Sequence, residues 1–142
     1  MKNKRVLLID ALNLFIRNYI VDPSLSTNGH PIGGAKGFIK SLQAVCRIIN
    51  PDLILVAWDG GSQKRKSMDK NYKAGRKPVR LNRDIHNMTA GEQEDNKNWQ
   101  QERIIEYLNE MPILQSYVEN VEADDIIALV SQSQALSEHH KI

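Results

Sequence analysis

The sequence predicts an α/β fold, a parallel sheet flanked by helices. Two observations predict it. Short apolar runs, "VLLI" and "LILVAW", alternate with segments whose apolar residues recur every three or four positions. Each run also ends at an acidic residue, as expected where the strands of an open sheet deliver side chains to one edge. The chain of 142 residues is about one domain's worth, with an ordinary 41% of hydrophobic and 25% of charged residues.

"KRVLLID" reads as a buried strand ending at Asp10, and "ALNLFIRNYI" as a helix. "DPSLSTNGHPIGG" is dense in Pro, Gly, Ser and Asn and reads as a loop. From Ala35, the residues Phe38, Ile39, Leu42, Val45, Cys46 and Ile49 mark an amphipathic helix, stopped by Asn50-Pro51. "LILVAW" is the second strand, followed by Asp59, Gly60 and Gly61. A basic segment and a polar stretch, "NMTAGEQEDNKNWQQ", come next. A helix is predicted over 99–111, with Pro112 as its stop, then a strand at "ILQSYV" and a helix reaching Ala135. No run is long enough to span a membrane, and "MKNKRVLLIDALNLF" lacks a cleavage site, so a secretory signal is not expected. The single cysteine, Cys46, forms no internal disulfide, fits a reducing compartment and reads as core filling.

The net charge of +2 conceals a lopsided distribution. Between Ser62 and Arg83 lie Lys64, Arg65, Lys66, Lys70, Lys73, Arg76, Lys77, Arg80 and Arg83 against the single acid Asp69, a local +8 that leaves −6 for the remainder. A solvated charged loop is the plain reading of such a run. Its interleaving with Met68 and Tyr72, and its start beside Asp59, point instead to a backbone-directed nucleic-acid surface.

Three predicted strand ends carry carboxylates: Asp10, Asp59, and the group Glu122, Asp124 and Asp125. Singly each has a plain explanation. Asp10 serves equally well as a helix cap and Asp59 as a turn residue, while acids at a helix start complement its positive end. Together they suggest an oxygen-only site for Mg²⁺ or Mn²⁺. Two ions about 3.5–4 Å apart would suit such an acidic floor, one generating the hydroxide nucleophile and both offsetting charge on the attacked phosphate. Glu122 and Asp125 share a helical face whereas Asp124 points elsewhere, so direct convergence of all three is difficult. None of the four histidines is at ligand spacing with another His or Cys.

The set "LLIDALNLF", "GGAKGF", "LVAWDG", "RKSMDKNYKAGRKP" and "VEADDIIA" resembles the 5′ nuclease family. That family includes flap endonucleases, the 5′-exonuclease domain of bacterial DNA polymerase I and phage 5′→3′ exonucleases; "EYLNEMPIL" resembles the T-even-phage ribonuclease H branch. The resemblance runs over nearly the whole chain and implies a PIN-like, resolvase-like domain. It implies that Asp10, Asp59, Glu122, Asp124 and Asp125 bind metal and that Lys73 and Arg76 position or polarise the scissile phosphate. Arg65 matches a phosphate-contacting arginine. Lys64, Lys66, Lys70, Tyr72 and Lys77 then belong to the same DNA-binding surface, and residues 62–100 to an arch or clamp that passes a single-stranded 5′ end. Gly33, Gly34 and Gly37 match a helix start where backbone N–H groups approach DNA, although a plain turn explains any one of them equally well.

The implied substrates are DNA with 5′ flaps or 5′ ends and RNA primers, the implied setting replication or repair in the cytoplasm of a host cell. A single-strand-binding protein or a sliding clamp would be further partners, and no membrane is implied. In the family a strand at the "HHKI" position leads into a further Asp-rich loop. Residues 1–142 are therefore read as the N-terminal part of the catalytic domain, incomplete at the C-terminus, with a non-catalytic nucleic-acid-binding fragment as the alternative function. Asn120 departs from a glycine usual in many relatives. A kindred metal nuclease acting on RNA is a third reading.

Overall fold

A computed structural model of the protein describes residues 4–60, 88–133 and 139–142. Eight elements follow in chain order: β1 (Arg5–Asp10), α1 (Ala11–Val21), α2 (Gly33–Ile49), β2 (Leu53–Trp58), α3 (Ala90–Asn109), β3 (Leu114–Tyr117), α4 (Ala123–Ser131) and β4 (His140–Lys141). They divide between two compact units. Of the described residues, one holds 4–12, 49–60, 112–133 and 139–142, and the other 13–48 and 88–111.

The first unit is built on a four-stranded sheet of order β3-β2-β1-β4, parallel throughout. Parallel strands bury both faces and therefore read as unbroken apolar runs, which is why "VLLI" and "LILVAW" were visible in the sequence. Val6 and Val56 at the sheet centre have no exposed surface, and Leu7 has 3%. Helix α4 packs on β1 and β2, where Ala123 and Ile126 close against Ala57, with Val121, Ile127 and Val130 around them. Trp58 is buried, and its indole Nε1–H donates to Gln115 Oε1 at 2.8 Å. The entry to β2 is held by β1: Arg5 N–H donates to the Asp52 carboxylate and Asp52 N–H to Arg5 O, both at 2.8 Å, while the Arg5 guanidinium reaches Ile49 O at 2.7 Å. Asn50, at φ 48°, ends α2 in the left-handed region that Asn tolerates at a helix C-terminus.

The second unit buries Phe15 and Tyr19 of α1, Phe38 and Leu42 of α2, and Ile104 and Leu108 of α3. The Phe15 and Tyr19 rings stack with centroids 5.6 Å apart. Burial, and then the negative charge of Glu94, push the Tyr19 hydroxyl above its ordinary pKa. Gln100 is polar yet wholly buried. Its Oε1 accepts from Ala35 N–H at 3.0 Å and its Nε2 donates to Asn96 Oδ1 at 2.8 Å, while Asn96 Nδ2 donates to Pro31 O at 3.0 Å. Two amides thus tie α3 to the chain leading into α2.

Three expectations about elements are corrected. The polar stretch is helix from Ala90 on, so α3 starts nine residues before the predicted Trp99. A capping box explains the start: Thr89 Oγ1 accepts from Glu92 N–H, and the Glu92 carboxylate accepts from Thr89 N–H. Helix α2 starts at Gly33, two residues before Ala35. Helix α4 ends at Ser131, short of Ala135, and residues 134–138 lie outside the described ones.

Candidate functional site

Three strands of the first unit bring acidic residues to the same edge. Asp10 is the last residue of β1, and in the parallel register it faces Ala57 of β2, two residues before Asp59. Asp59 follows β2 directly. β3, paired with β2 through Trp58 and Tyr117, leads through a short loop to Glu122, Asp124 and Asp125. The carboxyl-end placement foreseen for each group is therefore the one observed.

The loop after β3 is fastened to the end of β2. Gly60 N–H donates to Val121 O, and Asn120 N–H donates to Gly60 O, both at 2.9 Å. A methyl group on Gly60 would run into the Val118 carbonyl, so only glycine allows this approach. Asn120 sits at φ 64°. That left-handed conformation accounts for the departure noted in the sequence, since Asn is the residue that best replaces Gly there.

Helix α4 begins in an unusual way. Glu122 occupies the position before its first residue with extended backbone (φ −75°, ψ 154°), but its side chain makes no capping bond. The acceptor comes from another strand end: Asp59 Oδ1 accepts from Ala123 N–H at 2.6 Å. Asp124 and Asp125 fill the first turn, where the helix dipole favours negative charge. Glu122 is buried, with 7% of its surface exposed; Asp10 and Asp59 are half-buried, and Asp124 and Asp125 are exposed. Asp59, whose plain reading was a turn residue, thus accepts from the start of a helix 64 positions away in sequence.

An oxygen-only donor set suits a hard cation by chemistry. As placed, however, no three His, Cys, Asp or Glu side chains among the described residues stand close enough together to hold a metal ion. The structure brings Asp10, Asp59, Glu122, Asp124 and Asp125 to one edge without gathering them around one point.

Gly33, Gly34 and Gly37 are buried at the start of α2. A methyl group would meet the Asp22 carbonyl at Gly33, the Phe15 ring at Gly34 and the Asn18 side chain at Gly37. Close packing in the second unit is sufficient to require glycine at all three. Lys64, Arg65, Lys66, Lys70, Tyr72, Lys73, Arg76 and Lys77 lie outside the described residues. Of the arch or clamp segment 62–100, residues 90–100 are the first half of α3.

Sequence reasoning missed the Gln100 and Asn96 pair and the Thr89 cap. A Thr three residues before a Glu was the one signal available for the cap. No helix among the described residues is long and apolar enough to cross a membrane.

Comparison with known proteins agrees with this architecture. Residues 5–142 match the family described as the 5′-3′ exonuclease, N-terminal resolvase-like domain. DNA polymerase I of Caldicellulosiruptor bescii is 30% identical over 131 residues, which is 90% of this chain and 14% of that protein. DNA polymerase I of Borreliella burgdorferi is 36% identical over 77 residues, 51% of this chain and 8% of that protein. The chain therefore spans a small part of these relatives' length. Among solved structures, the bacteriophage T5 flap endonuclease in complex with DNA and metal ions superposes with a TM-score of 0.66 at 17% identity, covering 97% of this chain and 47% of that one. The T5 5′-exonuclease with bound zinc gives 0.62 at 18% identity, over 90% of this chain and 44% of that one. With its parallel resolvase-like sheet and a match over almost its entire length, the chain belongs to the 5′-3′ exonuclease family, as the family's N-terminal domain.

Proposed function

We propose that this chain carries the acidic edge of a divalent-metal-dependent 5′→3′ exonuclease or flap endonuclease, hydrolysing phosphodiesters of DNA and of RNA–DNA hybrids during replication or repair. The observation that carries the reading is the delivery of Asp10, Asp59 and the Glu122–Asp125 turn to one edge of a parallel sheet. A +8 segment begins within a few residues of Asp59 and supplies the complementary charge. The acids concentrate cations by their summed field, and Mg²⁺ or Mn²⁺ is the class that all-oxygen donors favour.

Family membership and the metal- and DNA-bound T5 structures support the same chemistry. On this reading Lys73 and Arg76 hold the scissile phosphate, and Lys64, Arg65, Lys66, Lys70, Tyr72 and Lys77 contact the backbone and bases of the strand. A phage-type enzyme working in a host cytoplasm, assisted by a single-strand-binding protein or a clamp, belongs to this proposal.

The deciding experiment compares wild type, Asp10→Asn and Asp124→Asn for cleavage of a 5′-flap DNA with Mg²⁺ and with EDTA. Cleavage that requires Mg²⁺ and is lost in both variants is expected; undiminished cleavage by either variant would remove that residue from the site. A second reading, a non-catalytic nucleic-acid-binding portion of such a nuclease, rests on the +8 segment, whose Lys and Arg side chains bind phosphates without a metal. It predicts salt-sensitive binding of branched DNA with no cleavage under any divalent ion.

A further inference from the structure

Helices α2 and α3 of the second unit leave an open groove between them. Its floor is aliphatic, formed by Ile32, Ala35, Ile39 and Ile104, and its volume is about 250 Å³. That falls below the roughly 300–1,000 Å³ of a small-molecule site and suits a few side chains entering from outside. From Ile32 to Ile39 the floor extends for about 10 Å, two helical turns. Tyr107 lines the groove from α3 with 53% of its surface exposed, and Trp99, eight positions earlier in α3, is 41% exposed. Tyr, Trp and Arg side chains beside an apolar depression are the types on which protein interfaces concentrate their binding energy.

The two walls of the groove differ in charge. Lys36 lines it, and Lys40 and Arg47 continue the same exposed row of α2, a helix that contains no Asp or Glu. The Lys36 ammonium donates to Ser24 Oγ at 3.1 Å, and the Ser24 hydroxyl donates to Asp22, so the nearby acid already has its own partner. Arg103, on the α3 wall, is neutralised where it stands. It lies 2.9 Å from Glu106 and 3.9 Å from Glu102, and 5.6 Å over the Trp99 ring. The remaining positive charge therefore belongs to α2, while Glu102, Glu106 and Glu110 are exposed on α3. A nucleic-acid strand is anionic along its whole length and would meet those acids as well. A helix can carry its acids on one flank only, and this asymmetry favours a polypeptide.

We propose that the α2–α3 groove docks an acidic amphipathic helix of another protein. The helix sets apolar side chains at i, i+3 or i+4, and i+7 on Ile32, Ile39 and Ile104, and turns Asp or Glu side chains toward Lys36 and Lys40. Both groove helices belong to the second unit, so the inference is independent of the cation reading of the acidic edge.

The test uses the full ¹⁵N-labelled chain and two designed peptides of about four helical turns. Both carry leucine at i, i+3, i+4 and i+7; the flanking positions are Glu in one and Lys in the other. The Glu peptide is expected to shift the amides of residues 32–40 and 103–107. It is also expected to bind about tenfold more tightly than the Lys peptide at about 0.1 M salt, as reversing two exposed charge contacts gives. Lys36→Glu combined with Lys40→Glu should abolish or invert that preference, and Ile39→Asp should weaken both peptides. If Ile39→Asp does not fold, the exposed double-lysine variant decides alone. Equal affinity for the two peptides, a preference unchanged in that variant, or shifts confined to other residues would overturn the proposal. A single-stranded oligonucleotide that shifts the groove amides while the Glu peptide does not would make this a nucleic-acid surface instead. Self-association of the chain in sedimentation, abolished by Lys36→Glu with Lys40→Glu, would replace the partner helix with a second copy.

Discussion

At the scale of single residues, one buried polar side chain has a role that the apolar pattern conceals. Gln100 is buried and gives Ala35 N–H its acceptor. Gln100→Leu should therefore leave that amide without it, lowering stability by about 1–3 kcal/mol in urea unfolding. Gly60→Ala should cost about 1–3 kcal/mol by overpacking against the Val118 carbonyl, read as a lowered Tm. Burial holds the Cys46 thiol above its ordinary pKa. Its reaction with a disulfide reagent at mild alkaline pH should accordingly be slower than that of free cysteine, because only the thiolate attacks. Legibility at this scale was uneven. Asp10 and Asp59 announced themselves because each follows an apolar run, and Glu122, Asp124 and Asp125 because three carboxylates crowd just before one. The cap from Asp59 to Ala123 joins residues with no local relation and could emerge only from the paired sheet.

At the scale of elements, the strands and α2 were readable for the same reason: burial demanded a regular apolar pattern, continuous in β1 and β2 and of period three to four in α2. The first half of α3 hid because its inward face carries amides. Asn96 and Gln100 are held by hydrogen bonds to Pro31 and Ala35, so hydrophobic periodicity is silent from Ala90 to Asp95. Its start is set by Thr89 and Glu92 instead. Thr89→Ala should destabilise the protein by about 1 kcal/mol, measured by chemical denaturation, with the loss of helicity confined to the N-terminal turns of α3.

At the scale of the whole molecule, charge is the organising variable. On the proposed function, the basic segment gives DNA binding that weakens steeply as salt rises, with a log–log slope near −0.9 for each phosphate neutralised; titrating a duplex at several salt concentrations measures it. Acid should act on the loop before α2. The Ser24 hydroxyl and N–H donate to the Asp22 carboxylate and lower its pKa, against a smaller opposing effect of burial. A group whose pKa is lowered by folding stabilises the protein above its unfolded pKa, and that stability is lost as pH falls through the folded value. Asp22→Asn should therefore flatten the acid limb of a stability–pH curve below the ordinary carboxylate range. Toward alkaline pH the sign reverses. Tyr19 is neutral in the fold and raised in pKa, so its share of stability holds below the unfolded tyrosine pKa and disappears as pH rises through the folded one.

The parallel pairing of the strands has a consequence for how the chain assembles. Val6 meets Leu53 on one side and Lys141 on the other, and Ala57 meets Ser116. Every one of these pairings closes a long loop, so the sheet belongs to the slow, non-local class of folding reactions. Until those loops close, the acids of the three strand ends stay far apart along the chain and scarcely repel one another. Their crowding arises only as the apolar contacts that can offset it form, which makes the acidic edge a late product of folding and spares the nascent chain its cost.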